Sequence, residues 1–266
     1  MRRFTLTLAL LGAVLAAVAA PAAPTPVLKI VFPEGFTARK MADRVAEVRQ
    51  IAIRKRGVTP QLTGASYAAA TRTAKPPTSF RPFVKRRGAE GFLFPSTYFF
   101  EPASSATGLV SRQIATFEQR WRTIDLRAAK ARKQTPYDVL TIASIVERET
   151  RAPAERKLVA AVVYNRLERG MPLAIDATIR YGLGIEGTRP IKSSHLRSSS
   201  PYNTHRFKGL PPTPIANPGL ASMRAAAKPA AVDYLYYVRK PDGVHHFFTA
   251  DEQEFCKKAR EYGYGC

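Results

Sequence analysis

Cysteine is nearly absent: the 266 residues hold two, Cys256 and Cys266, both at the C-terminal end. That excludes a disulfide-stapled scaffold, and the lack of any C-x-x-C spacing excludes a cysteine-ligated metal module. The two thiols either close one small terminal loop or stay free. Histidine is equally scarce, and His245 and His246 are adjacent, which in a strand places them on opposite faces and argues against a shared metal ion. Acidic residues are few, with 20 Asp+Glu against 42 Lys+Arg, a net charge of +22 spread along the chain. Such an excess fits a polyanionic partner, whether nucleic acid, an anionic membrane or an acidic cell-wall polymer, or reflects composition and solubility alone. There is no internal repeat and no phosphate-cradling loop, since Gly182-x-Gly184 lacks a strand-turn-helix setting. Charge itself is missing between Arg3 and Lys29. Residues 1–27 therefore read as an export signal or a membrane anchor. The apolar part, Phe4 to Ala20, falls between a signal core and a span of about 20 residues, and Ala17-Val18-Ala19 offers a cleavage site. Either way Lys29 onward is expected outside the cytoplasm, which removes cytoplasmic nucleic acid from the candidate partners.

What is present suffices for a packed protein, because 45% of the residues are hydrophobic and the length allows one large domain or a main domain with a smaller one. The expected fold class is α+β. Residues 28–80 begin with a strand, turn at Pro33-Glu34-Gly35, and enter a helix capped at Thr37 with Ala42, Val45 and Val48 at roughly helical spacing. The stretch "AKPPTSFRPFVKRR" reads as a loop and marks a boundary before a main domain at 81–266. Next, "GAEGFLFPSTYFF" is either an apolar strand or an aromatic wall for a sugar. Leu109 to Trp121 reads as a helix, the segment after Gly170 as long loops, Met223 to Lys228 as a short helix, and "DYLYYVRKPDGVHHFFTA" as a hairpin.

The stretch "TPYDVLTIASIVERETRAPAERKLVAAVVYNRLERG" carries the chemistry. Thr135-Pro136-Tyr137-Asp138 starts a helix near Pro136. Ile142, Ile145, Val146 and Glu149 are spaced i, i+3, i+4, i+7, so the glutamate shares an aliphatic face, while Glu147 is turned toward solvent. Pro153 ends or kinks the helix just beyond, and a second amphipathic helix with Leu158, Val159, Val162 and Val163 stops at Gly170. A carboxyl on an apolar stripe beside a helix break has the setting of a general acid. The alternative is a solvated glutamate paired with Arg148, Arg151 or Arg156.

Several blocks, in order, resemble the YceG-like endolytic murein transglycosylases: "EGFLFPSTY", "IASIVERET", "ERKLVAAVVYNRLERGMPLAIDATIRYGLG", "SPYNTHRFKGLPPTPIANPG" and "LYYVRKPDGVHHFFT", spanning roughly Val31 to Thr249. The resemblance implies a LysM-like module ahead of a catalytic domain, on the outer side of the cytoplasmic membrane, where it cleaves nascent peptidoglycan glycan strands internally without metal or cofactor. Peptidoglycan synthases or divisome proteins would be its partners. The family's catalytic glutamate falls on Glu149. Polar residues inside the matched blocks, namely Glu90, Asn165, Asp176, Tyr202, Asn203, Thr204 and His245, are the candidates for holding substrate or orienting Glu149; each is otherwise a loop cap or a buried hydrogen bond.

A conventional glycosidase uses two carboxyl groups, whereas the resemblance implies a single one. Glu149 would protonate the oxygen between N-acetylmuramic acid and N-acetylglucosamine, then deprotonate the muramic C6 hydroxyl as it attacks C1, leaving a 1,6-anhydro sugar. The sequence departs from the family pattern at Ser96, where aspartate is frequent, at Ala177, where proline is common, and at Thr213, where glycine is frequent. The LysM-like module is shortened. Competing readings are a muramidase with Asp176 or Glu90 as second carboxylate, a non-catalytic basic wall-binding protein, and an exported nucleic-acid binder.

Overall fold

In order along the chain the elements are β1 (Leu28–Val31), α1 (Ala38–Arg56), α2 (Gly64–Thr73), β2 (Thr97–Phe100), α3 (Ala106–Trp121), α4 (Arg127–Ala131), α5 (Pro136–Glu149), α6 (Arg156–Glu168), α7 (Asp176–Leu183), α8 (Ser193–Leu196), α9 (Leu220–Ala227), β3 (Tyr236–Arg239), β4 (His246–Thr249) and α10 (Glu252–Glu261). The computed structural model describes residues 26–84, 86, 88–185 and 189–266. The expected export signal or anchor lies almost wholly outside them. Among the described residues no helix is long and apolar enough to cross a membrane. The architecture is mixed α+β: helices with two antiparallel pairs, β1 with β2 and β3 with β4.

Helix α5 forms for the local reasons its sequence offers. Thr135 Oγ1 accepts the Asp138 N–H at 3.1 Å while Asp138 Oδ2 accepts the Thr135 N–H at 2.8 Å, a reciprocal cap with proline in the first turn. Ile142, Ile145 and Val146 are fully buried, each stabilising the fold by about 1.5–3 kcal/mol relative to exposure. Helices α6 and α9 pack on α5. Around them lies the larger core, with an aromatic cluster of Phe80, Phe92, Phe117, Trp121 and Tyr137 at one end.

The smaller core holds Ile30, Phe32, Met41, Val45 and Tyr67 together with Ala89, Leu93, Tyr98 and Leu109, so it draws on both sides of residue 80. Residues 89–94 form the seam. Ala89 and Leu93 enter the smaller core while Phe92 and Phe94 enter the larger one. The rings of "GFLFPSTYFF" are therefore mostly core side chains rather than a wall for sugar, with Phe99 the outward exception at 57% exposure. Gly91 is required at this seam: it has φ of +88°, and a Cβ there would sit 2.6 Å from Pro214 Cγ.

The loop after α2 contains a short turn, Thr78–Phe80, that sends Phe80 into the core. At the C-terminus, α10 carries Cys256, which is bonded to Cys266.

Candidate active site

Glu149 is the last residue of α5, where the helix stops and Thr150 takes an extended conformation. The chain then makes a short turn, Pro153–Glu155, before α6, so the carboxyl stands at a helix end with buried aliphatic residues along the turns beneath it. Two elements hold it. Tyr237 of β3 donates its hydroxyl to Glu149 Oε2 at 3.3 Å, and the Ala177 N–H, in the first turn of α7, is directed at the same carboxyl. Burial pushes the Glu149 carboxyl above the usual carboxylate range, with the nearby Asp176 charge acting in the same direction; the Arg239 charge and the two donors pull it back.

Two of the neighbouring arginines are occupied elsewhere. Arg148 donates to the Gly35 carbonyl at 3.3 Å and Arg151 to the Gly243 carbonyl at 3.1 Å, while the charge of Arg156 acts on Glu34. Glu147, expected in solvent, is instead half-buried and accepts the Gly219 N–H at 2.9 Å. The reason is α9: its N-terminal N–H groups lack helical partners and attract a carboxylate.

A cavity of about 320 Å³ opens beside this site. Glu90 and Tyr202 line it together, as does Ala177, so the cavity wall includes the residue whose N–H meets Glu149. Glu90 is held by the Ala38 N–H, by the Tyr181 hydroxyl at 3.1 Å and by the Asn217 amide at 2.7 Å. Burial outweighs those donors, and its carboxyl is pushed up to about 7. Tyr202 bonds the Thr213 hydroxyl at 2.8 Å and packs on Tyr181 with ring centroids 5.1 Å apart. Gly182 permits this closeness, since a Cβ there would lie 2.5 Å from Tyr202 Cβ. Asp176 is exposed and opens α7 next to Glu149; the hydrogen bond from His205, at 3.0 Å, holds its carboxyl below the ordinary value.

The other sequence candidates are built into the scaffold. Asn165 is buried and spends both amide hydrogens on the Val232 and Tyr234 carbonyls, each at 2.9 Å, leaving no donor for a substrate. Asn203, fully buried, closes its own loop through the Leu196 and Ser198 carbonyls. Thr204 is buried against the Thr178 hydroxyl at 2.8 Å and accepts the Ile175 N–H, steadying the start of α7. His245 is exposed at the hairpin turn, bonded to Asp242 at 2.9 Å. None of these four lines the cavity.

Residues that the sequence did not single out complete the site. His246, not His245, faces inward: its Nδ1 lies 2.7 Å from Glu155 Oε2, and its ring meets the Tyr237 ring edge-on at 5.4 Å. Arg166 donates to the Leu235 carbonyl at 2.6 Å and the Leu173 carbonyl at 2.7 Å, tying the strand that bears Tyr237 to the loop that leads into α7. The signal available for His246 was hairpin parity. The Pro241-Asp242-Gly243 turn pairs Arg239 with His246 and leaves His245 in the connection. Among the described residues no group of three or more His, Cys, Asp or Glu is gathered to hold a metal ion.

The arrangement, then, is one desolvated carboxyl at a helix end, two hydrogen-bond donors upon it, and a cavity alongside. The family model that matches the chain is described as the YceG-like family and covers residues 10–261. The chain is 37% identical over 174 residues to the endolytic murein transglycosylase of Bacillus subtilis (strain 168), an overlap of 65% of this chain and 48% of the relative. It is 29% identical over 255 residues to the endolytic murein transglycosylase of Streptococcus pneumoniae (strain ATCC BAA-255 / R6), covering 89% of this chain and 45% of that one. The chain thus spans about half the length of the curated relatives it matches. A crystal structure of a yceG-like protein from Listeria monocytogenes superposes with a TM-score of 0.71 at 28% identity, covering 86% of this chain and 74% of that chain.

Proposed function

This chain belongs to the YceG-like family, and on that footing we propose that it is an endolytic peptidoglycan lytic transglycosylase with Glu149 as its catalytic acid and base. The observation that carries the reading is the setting of Glu149: raised by burial, bonded by Tyr237 and Ala177, and beside an open cavity. The names of the relatives from Bacillus subtilis and Streptococcus pneumoniae support the same chemistry.

The protonated Glu149 gives its proton to the glycosidic oxygen between N-acetylmuramic acid and N-acetylglucosamine, and the bond from that oxygen to C1 breaks. The ionised Glu149, now favoured by the donors on it, takes the proton of the muramic C6 hydroxyl as its oxygen bonds to C1. The glutamate ends as it began and no water is consumed. One group serving first as acid and then as base is helped by a carboxyl raised above its ordinary value, and burial, only partly offset by two donors, raises Glu149. Proton transfer and an internal nucleophile suffice, so the scheme calls for no metal.

The same reading places the protein outside the cytoplasm, secreted or anchored at the outer face of the membrane, in support of which stands the uncharged stretch between Arg3 and Lys29. Its substrate is the nascent glycan strand, and peptidoglycan synthases or divisome proteins are its expected neighbours. The reading also keeps a shortened LysM-like module at residues 28–80, where β1, α1 and α2 lie.

Mass spectrometry of fragments from uncrosslinked strands tests the proposal. Chain ends lighter by one water with the native protein, absent with a folded Glu149→Gln variant, are expected. Ordinary reducing ends would replace the transglycosylase with a muramidase, in which Asp176 is the adjacent second carboxylate. Unchanged cleavage by the variant would sink the role of Glu149.

A further inference from the structure

Glu149 is the last residue of α5, and the connection that follows it is fastened twice to the β3–β4 hairpin. Arg151 makes the exposed tie, donating to the Gly243 carbonyl in the hairpin turn at 3.1 Å. Glu155 makes the buried one. Its Oε1 accepts the His246 N–H at 3.0 Å and its Oε2 lies 2.7 Å from His246 Nδ1, with only 8% of Glu155 and 5% of His246 exposed. Both contacts come from one side chain, so they fix where β4 begins and also how the imidazole ring is turned. Tyr237 pairs with Phe248 in the register and Arg239 with His246, and directly paired residues of antiparallel strands share a face. On that face the Tyr237 ring is held between two others, edge-on to His246 at 5.4 Å and tilted against Phe248 at 5.9 Å. Its hydroxyl reaches Glu149 Oε2 at 3.3 Å. The contacts thus form a closed circuit, from Glu149 through Tyr237, His246 and Glu155 and back along the chain to Glu149.

Hydrophobic side chains of similar volume would join these two segments without taking polar groups out of water. What the polar pair adds is direction, because a hydrogen bond constrains angle as well as distance. We infer that Glu155 and His246 are positioning residues, which clamp the hairpin to the α5–α6 connection so that the Tyr237 hydroxyl stays on Glu149. The inference rests on Glu149 being the working carboxyl of the proposed reaction. They act through Tyr237, whose bond of 3.3 Å is already longer than the usual hydroxyl range of about 2.5–3.0 Å. A small slide of β3 would therefore break it, and a misplacement of about 1 Å can cost on the order of a hundredfold in rate. Four groups face the Glu149 carboxyl: Tyr237 and Arg239 from β3, and Asp176 and the Ala177 N–H from α7. The two from the clamped hairpin both favour the ionised form, whereas burial and Asp176 oppose it.

NMR titration of protein labelled at its glutamate carboxyl carbons reads Glu149 without substrate, its signal being the one that Glu149→Gln removes. In Glu155→Ala the hairpin carries its donor and its cation away from the carboxyl, and the Glu149 midpoint is expected to rise above that of the native protein. A merely structural loosening would admit water and move the midpoint the other way, toward the ordinary value. His246→Asn, whose amide can meet Glu155 in place of Nδ1 but which lacks the ring, is expected to raise it as well. Glu155→Gln, which keeps an acceptor for the His246 N–H and an amide for Nδ1, should stay near the native midpoint. If Glu155→Ala does not fold, the contrast between these last two variants decides. In a Tyr237→Phe background most of the rise caused by His246→Asn should disappear, because the hydroxyl that the ring positions is gone. A midpoint that stays or falls in His246→Asn, or a full rise in the Tyr237→Phe background, overturns the clamp. In glycan cleavage, kcat and kcat/KM of His246→Asn should fall together by about tenfold, as for an interaction made in the transition state alone. A native protein that makes no anhydro ends counts against the transglycosylase reading, while the midpoints, read without cleavage, still decide the clamp.

Discussion

Around Glu149 burial and hydrogen bonding pull in opposite directions, and the balance between them is open to measurement. Tyr237 donates to Oε2 at 3.3 Å, which favours the ionised carboxyl. In Tyr237→Phe that donor is gone while the ring and its packing on His246 remain. The Glu149 pKa is then expected to move further up. In a pH profile of kcat the alkaline limb should shift to higher pH, and the plateau should fall by about tenfold as orientation is lost. A limb that stays in place would show that Tyr237 does not act on Glu149. Glu90 allows a second measurement, on stability. Its carboxyl moves from an ordinary 4.5 to about 7 on folding, so between those values the folded state binds more protons than the unfolded state. Stability contributed by this group is full below the lower value and is lost as pH rises through the upper one. Urea titrations at pH 5 and pH 8 should show that slope in the native protein and a shallower one in Glu90→Gln. Equal slopes would mean that Glu90 is not desolvated. The position of Glu149 was legible because its i, i+3, i+4, i+7 partners are aliphatic. The inward histidine was not, because parity in the hairpin depends on where the turn closes, and one residue of shift exchanges His245 for His246.

At the level of elements, caps and periodicity carried most of the information. Thr135 with Asp138, Thr37 with the Lys40 N–H, and Gly170 all stand where the sequence marks helix ends. Thr135→Ala is expected to cost about 1 kcal/mol, the usual value for a lost cap, read as a shift in the urea midpoint. Cleavage should be unchanged, because Glu149 lies at the opposite end of α5. A loss of activity larger than the loss of stability would show that the first turn of α5 reaches the site. Helix α2 went unnamed in the sequence because its start, Thr63 with Ser66, is set in a run of alanine and threonine with little apolar contrast. The rings of residues 92–94 were ambiguous for a related reason. A segment that alternates between two cores is apolar on both faces, and periodicity of two cannot tell a seam from a wall.

For the whole molecule, the decisive contact is one that no local pattern announces. Asn217 lies in "IANPG", which reads as a loop, yet it is fully buried. Its Oδ1 accepts the Gly91 and Leu93 N–H groups at 2.9 and 3.0 Å, and its amide donates to the Phe36 carbonyl at 2.9 Å and to Glu90 at 2.7 Å. It therefore joins the β1–α1 turn and the seam between the cores to the segment leading into α9. In Asn217→Ala these partners lose their bonds in the interior, where each orphaned group costs about 1–3 kcal/mol, so the total is expected to exceed roughly 3 kcal/mol. The loss should also separate the cores. Trp121, the single tryptophan, sits in the larger core, so its fluorescence follows that core, whereas far-UV circular dichroism also follows α1 and α2 around the smaller one. In the native protein the two signals should change together with urea. In the variant, dichroism should begin to fall before the fluorescence does, because Asn217 no longer couples the smaller core to the larger. Coincident transitions displaced by less than about 1 kcal/mol would show that the seam holds by packing alone, through Ala89 and Leu93 on one side and Phe92 and Phe94 on the other.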